Sequence, residues 1–165
     1  MSIRRILKHL FMPDWLARRP FPEAALARIG QAIGDSERTH EAELRFVLEA
    51  GLDLVDLLRG MTPRQRAERV FAAQRVWDTE RNSGVLLYLQ LVDRDIEIVA
   101  DRGIAGLVRQ EEWEAICQRM EEAFRAGRFE AGTVEGIRDI TALLVRHFPA
   151  RGHNPDELPD KPLLL

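Results

Sequence analysis

Divalent cations such as calcium and magnesium are held by several oxygen ligands brought to one point. The sequence sets carboxylates, an amide and a hydroxyl beside three strand-like segments. His40-Glu41 and Glu43 stand at the start of residues 42–49. The stretch Trp77 to Gly84, with Asp78, Glu80, Asn82 and Ser83, precedes residues 85–92, and Asp101-Arg102-Gly103 closes residues 96–100. Glu43, Asp78, Glu80, Asn82 and Asp101 are therefore candidate ligands for calcium or magnesium, with Arg102 a candidate contact for phosphate. The competing reading is that loops at strand ends are solvated, so their acids face water, and that Asp78 or Ser83 only holds a turn. The spacing matches no EF-hand loop.

Other reactive types are poorly placed. Cys117 lies on the helix face of Ile116 and Met120, where a thiol is usually a buried, inert packing group. Ser83 lacks a Gly-x-Ser-x-Gly setting. His9, His40, His147 and His153 show no ligand spacing, and only His40 falls near the proposed site. Gly103 to Gly106 lacks the further glycine and acidic partner of a dinucleotide fingerprint.

The segments that must bring the polar residues together follow from periodicity. In 42–49, Leu44, Phe46 and Leu48 alternate with polar positions, the period of a strand. Residues 85–92 form a nearly continuous apolar run, as in a strand buried on both faces. Ile96, Ile98 and Ala100 alternate as a third strand, and Asp93-Arg94-Asp95 makes a tight hairpin between the second and third. Helices are predicted from Pro22 to about Gly34, where Gly34-Asp35-Ser36 reads as a break, and over a short stretch from Leu52 to Arg59. A third starts at the cap Thr62-Pro63, and two more cover about 111–126 and 130–147. Strand, helices, strand implies a right-handed parallel crossover, so the first two strands begin, and the third ends, at one rim of the sheet. The expected fold class is α/β, with a small mixed sheet (a parallel crossover followed by an antiparallel hairpin) covered by helices. After Pro149 the chain reads as a loose tail.

Composition narrows the function classes. The net charge is −3, which speaks against general nucleic-acid binding. A single cysteine excludes an internal disulfide and Cys-based zinc sites. No apolar run reaches the roughly 20 residues of a membrane span, and no signal-peptide pattern opens the chain, so a cytoplasmic protein is expected. Residues 2–12 read as an amphipathic helix: Ile3, Ile6, Leu7, Leu10 and Phe11 recur at helical spacing, with Arg4, Arg5 and Lys8 between them. Such a helix suits a membrane surface, with Arg4, Arg5, Lys8 and Phe11 as contacts, or packs on its own domain or a partner.

Asn82-Ser83-Gly84-Val85-Leu86-Leu87, the Asp-Arg turn, the Glu-containing return strand and Gly103-Ile104 together resemble the TPM domain. Phe124-Arg125-Ala126-Gly127-Arg128-Phe129, with Gly132 and Gly136, is similar to the family's next signature. The resemblance covers about residues 21–148, leaving 1–20 as the basic helix and linker and 149–165 as the tail. It implies a three-layer α/β/α sandwich, and it brings two activities linked to family members, divalent-cation binding and acid phosphatase activity. The family commonly has Asp-Asn-Gly where this chain has Asn82-Ser83-Gly84, so one carboxylate is absent. Many bacterial relatives carry a signal peptide and a membrane helix, and this sequence resembles a shorter, cytoplasmic branch. The expectation is a non-enzymatic binding or accessory domain that takes a divalent cation and works near an anionic membrane surface or a membrane-associated protein, peripheral to the inner membrane. A metal-assisted phosphatase and an oligomeric or partner-docking scaffold are the alternatives.

Overall fold

A computed structural model describes residues 3–151 and 155–165, so His153 lies outside the described residues. The helices α1 (Ile3–Phe11), α2 (Asp14–Ala17) and α3 (Glu23–Glu37) lead into strand β1 (Glu43–Glu49). α4 (Leu54–Leu58) and α5 (Pro63–Ala73) follow, then the hairpin β2 (Gly84–Gln90) and β3 (Asp95–Ala100). α6 (Arg102–Ala105), α7 (Gln110–Arg125) and α8 (Phe129–His147) precede the short strand β4 (Leu163–Leu164). Thr62 and Gln65 form a reciprocal capping box with Pro63 at the first turn of α5, as their types dictate. The hairpin turn places Arg94 at φ 60°.

The sheet order is β3-β2-β1-β4. β1 and β2 are parallel, with Glu43 opposite Gly84, and β3 is antiparallel to β2, with Ala100 opposite Val85. The beginnings of β1 and β2 and the end of β3 therefore share one rim. On one sheet face Leu44, Phe46, Leu48, Val85 and Leu87 pack with α3, α7 and α8. On the other, Val47, Leu86, Tyr88 and Val99 pack with Ala67 and Val70 of α5, Val76 and Leu158. The result is an α/β/α sandwich. Each fully buried large aliphatic or aromatic side chain contributes roughly 1.5–3 kcal/mol. The close approach of α7 and α8 needs Gly136, where a Cβ would lie 2.3 Å from Met120 Sδ.

Two expectations are corrected. Residues 155–165 are no loose tail: Leu158 is buried in the second core, and Leu163 and Leu164 pair in parallel with Val47 and Leu48, adding a fourth strand. Their hold on the fold comes from polar groups of β1, as described below, which composition does not reveal. α3 also runs on past its expected break to Glu37. Gly34 stays helical with Asp160 against it, since a Cβ there would meet Asp160 Oδ2 at 2.6 Å.

Candidate functional site

The rim gathers the predicted residues, and side-chain atoms of Glu43, Asn82, Asp101 and Arg102 hold parts of the fold there, whereas Asp78 and Glu80 are exposed. Asn82 sits at φ 51°, a left-handed conformation that asparagine tolerates, and its Oδ1 accepts from Arg102 Nε and Nη2 at 2.9 and 2.6 Å. The predicted cation ligand and the predicted phosphate contact are thus bonded to each other. Asp101 Oδ1 accepts from the backbone of Arg102 at 2.7 Å at the start of α6, while its Oδ2 is buried without a hydrogen-bond partner among the described residues. Asp78 is exposed and stands 3.8 Å from Arg75. Glu80 is exposed, and its backbone N–H donates to Glu157 Oε1 at 2.9 Å. Ser83 Oγ donates to the Glu41 carbonyl, Arg81 pairs with the Glu41 carboxylate, and Thr79 Oγ1 accepts from Ser83 N. Gly84 is demanded by the loop that crosses it: a Cβ would lie 1.8 Å from the Val76 carbonyl oxygen. His40, fully buried, has its Nε2 2.8 Å from Ser36 Oγ and accepts from Ala42 N at 3.3 Å. Burial holds its imidazole down to about 4.

Glu43 does different work. It is 1% exposed, and its Oε2 accepts from the backbone N–H groups of Glu157 and Leu158, both at 3.1 Å. Two residues on, Arg45 donates to the carbonyls of Pro159 and Lys161 at 2.7 and 2.8 Å. Side chains two apart on a strand share a face, so β1 offers an anion to the donors and a cation to the acceptors of one passing backbone. Burial raises the Glu43 carboxyl to about 6 despite those two donors.

Held this way, the C-terminal segment presents Asp156 and Asp160 to Glu37 at the end of α3. One carboxylate oxygen from each of the three lies within 4.8 Å of the others, the one such group of His, Cys, Asp or Glu among the described residues. Glu37 Oε1 accepts from Leu44 N at 2.7 Å. Asp160 Oδ1 is buried without a hydrogen-bond partner among the described residues. Burial first, and then the hydrogen bond to Asp160, push the Glu37 carboxyl up to about 10, so it holds a proton at neutral pH. A cleft of about 780 Å³ between α3 and the C-terminal segment is lined by Leu26, Gly30, Asp160 and Pro162. None of these three carboxylates was singled out from sequence. Glu37 lay beyond the apparent helix break, and both aspartates lay in the apparent tail.

At the other end of the chain, α1 docks by its polar side. Arg5 Nε donates to Asp93 Oδ2 at 2.9 Å and its Nη1 to the Met61 carbonyl at 2.9 Å, and Lys8 donates to the Val92 carbonyl. Leu52 N donates to His9 Nδ1 at 3.0 Å, which leaves the ring proton on Nε2, 3.0 Å from Asp93 Oδ1. Arg5 thus faces the domain and is half-buried, Lys8 is exposed but reaches the Val92 carbonyl, and Arg4 and Phe11 are exposed. The Cys117 thiol is pushed up to about 12, chiefly by burial, and is a poor nucleophile. No described helix is long and apolar enough to cross a membrane.

Comparison with known proteins places these features in context. The model of the TPM domain matches residues 21–143. The solution structure of the BA42 protein from the psychrophilic bacterium Bizionia argentinensis is similar at a TM-score of 0.73 and 28% identity, over 87% of this chain and 94% of that one. The N-terminal domain of a P. gingivalis protein shares the fold, with a TM-score of 0.60 and 20% identity over 81% of this chain and 83% of that one. No curated protein matches the chain.

Proposed function

The chain belongs to the TPM domain family, and on that premise we propose that it is a divalent-cation-binding accessory domain whose ion sits among Glu37, Asp156 and Asp160. The observation that carries this reading is the mutual approach of the three carboxylates within 4.8 Å. Like charges so close cannot all ionise unaided. A proton on Glu37 relieves the repulsion, and a cation that displaces the proton relieves it better while binding to oxygen ligands of the type that calcium and magnesium take. Glu43 and Arg45 support the site from behind by fixing the backbone that carries both aspartates. The remaining ligands would be backbone carbonyls and water, which such ions accept.

The test is calorimetric titration of the full chain with calcium and with magnesium, in two buffers of different ionisation enthalpy at neutral pH. Binding is expected to release about one proton per ion, because ligands must be deprotonated to coordinate, and Glu37→Gln is expected to abolish the release. Absence of binding at millimolar ion, or binding indifferent to Asp160→Asn, overturns the reading.

A further inference from the structure

The orientation of α1 is the reverse of the ordinary amphipathic arrangement, in which the apolar stripe faces the core. Arg5 and His9 point at the domain, and Arg5 bonds to Asp93 and to the Met61 carbonyl. Ile3, Leu7, Leu10 and Phe11 recur on the opposite side and are exposed, Ile3 and Phe11 each to 75%. Trp15, on α2, is 71% exposed. α4 lies beside α1 and leaves Val55 and Leu58 more than half exposed as well. Scattered apolar side chains on a surface need no explanation, but a contiguous exposed patch marks an interaction site. The polar contacts fix the helix with this side outward, so the patch does not arise from a helix left undocked.

Charge selects the occupant. Arg4 in α1 and Arg19 just after α2 are exposed, against the single carboxylate of Asp14 in α1 and α2. Arg5 is neutralised by Asp93, which Arg5 and His9 hold below the usual carboxylate range although burial pushes it the other way. A symmetric pair of chains would place this patch on its own copy and bring like charges together, which opposes self-association. An anionic bilayer satisfies both features: apolar and aromatic side chains enter the acyl boundary while flanking cations meet the headgroups. We infer that the outward side of α1, continued by Trp15, docks this domain on an anionic membrane surface. The inference is independent of the cation reading.

Sedimentation of the full chain, in EDTA, with vesicles of phosphatidylcholine alone and of an equal mixture with phosphatidylglycerol tests it. Binding to the anionic vesicles is expected to exceed binding to the neutral ones by about tenfold or more. The double substitution Leu7→Glu with Phe11→Glu is expected to reduce it by at least as much, with an unchanged circular dichroism spectrum. Arg4→Glu with Arg19→Glu, which leaves the apolar side chains in place, is expected to remove the preference for anionic lipid. The inference is overturned if neither vesicle binds the wild type, or if the Leu7/Phe11 variant binds as well as the wild type. It is also overturned if light scattering finds a dimer that this variant disperses while vesicles bind neither protein, which would assign the patch to a second copy.

Discussion

The rim of the sheet and the end of α3 are both rich in acidic residues, yet their carboxylates face different company. At the rim, Glu41 meets Arg81, Asn82 meets Arg102, and Asp101 accepts from the backbone ahead of α6. At the end of α3, Glu37, Asp156 and Asp160 meet one another. Acidic composition therefore does not distinguish a site from a scaffold. The difference is that at the end of α3 three carboxylates face one another, and carboxylates brought together must take up a proton or another positive charge.

The sharpest way to break this comparison is to damage each region structurally. Gly84→Ala drives a Cβ into the Val76 carbonyl and is expected to cost about 3 kcal/mol or more in denaturant unfolding, with cation affinity retained by whatever fraction folds. Arg45→Ala leaves the Pro159 and Lys161 carbonyls without their donor. It is expected to cost about 2–4 kcal/mol and, unlike Gly84→Ala, to weaken calcium binding by about a hundredfold as Asp156 and Asp160 lose their position.

A gentler contrast replaces one carboxylate in each place. Asp160→Asn is expected to lower calcium affinity by about 10- to 100-fold, whereas Asp101→Asn is expected to leave it within about twofold, both read by calorimetry. Equal losses from the two would merge rim and cluster into one site.

Stability against pH separates the regions further, because their titrating groups slope in opposite directions. Glu37 has a folded value of about 10 against an ordinary 4.5, so between those values the native state holds a proton that the unfolded chain has released. Its contribution is complete below about 4.5 and falls as pH rises toward 10, by up to about 1.4 kcal/mol per pH unit. His40 has a folded value of about 4 against 6.5, so in that window the unfolded chain binds the extra proton. Its contribution is complete above 6.5 and falls as pH drops toward 4. Glu37→Gln is expected to remove the fall in stability between about 4.5 and 10 and leave His40's opposite slope standing alone between 4 and 6.5, and saturating calcium is expected to abolish the alkaline slope by favouring the ionised cluster. The smallest effect is expected from Asn82→Ala, which removes the Arg102 contact and an asparagine suited to φ 51°. A loss of about 1–2 kcal/mol with unchanged cation affinity would mark Asn82 as scaffold.

Most of the architecture was legible in local patterns. The alternation of Leu44, Phe46 and Leu48, the apolar run from Val85 and the face of Ile116 and Met120 each report the burial of nearby residues, which periodicity encodes directly, and the capping pair Thr62-Pro63 marks a helix start. The shared rim followed from one parallel crossover and one hairpin. Two local signals misled for tertiary reasons. Gly34 looked like a helix end and is instead the place where Asp160 closes on α3. The polar composition after Pro149 looked like a tail, although Leu158 is buried in the second core and Glu43 and Arg45 bind the backbone around it, peptide contacts that leave no pattern in the segment's own sequence.

Sequence alone thus determined the order of the elements, the α/β class and the family signature, because those depend on neighbours along the chain and on glycines whose Cβ has no room. Only the tertiary structure decided which acids meet one another and which side of α1 faces water. Both depend on partners distant in sequence, Asp160 opposite Glu37 and Asp93 opposite Arg5, and the electrostatic environment of a charge is set by what folding brings next to it.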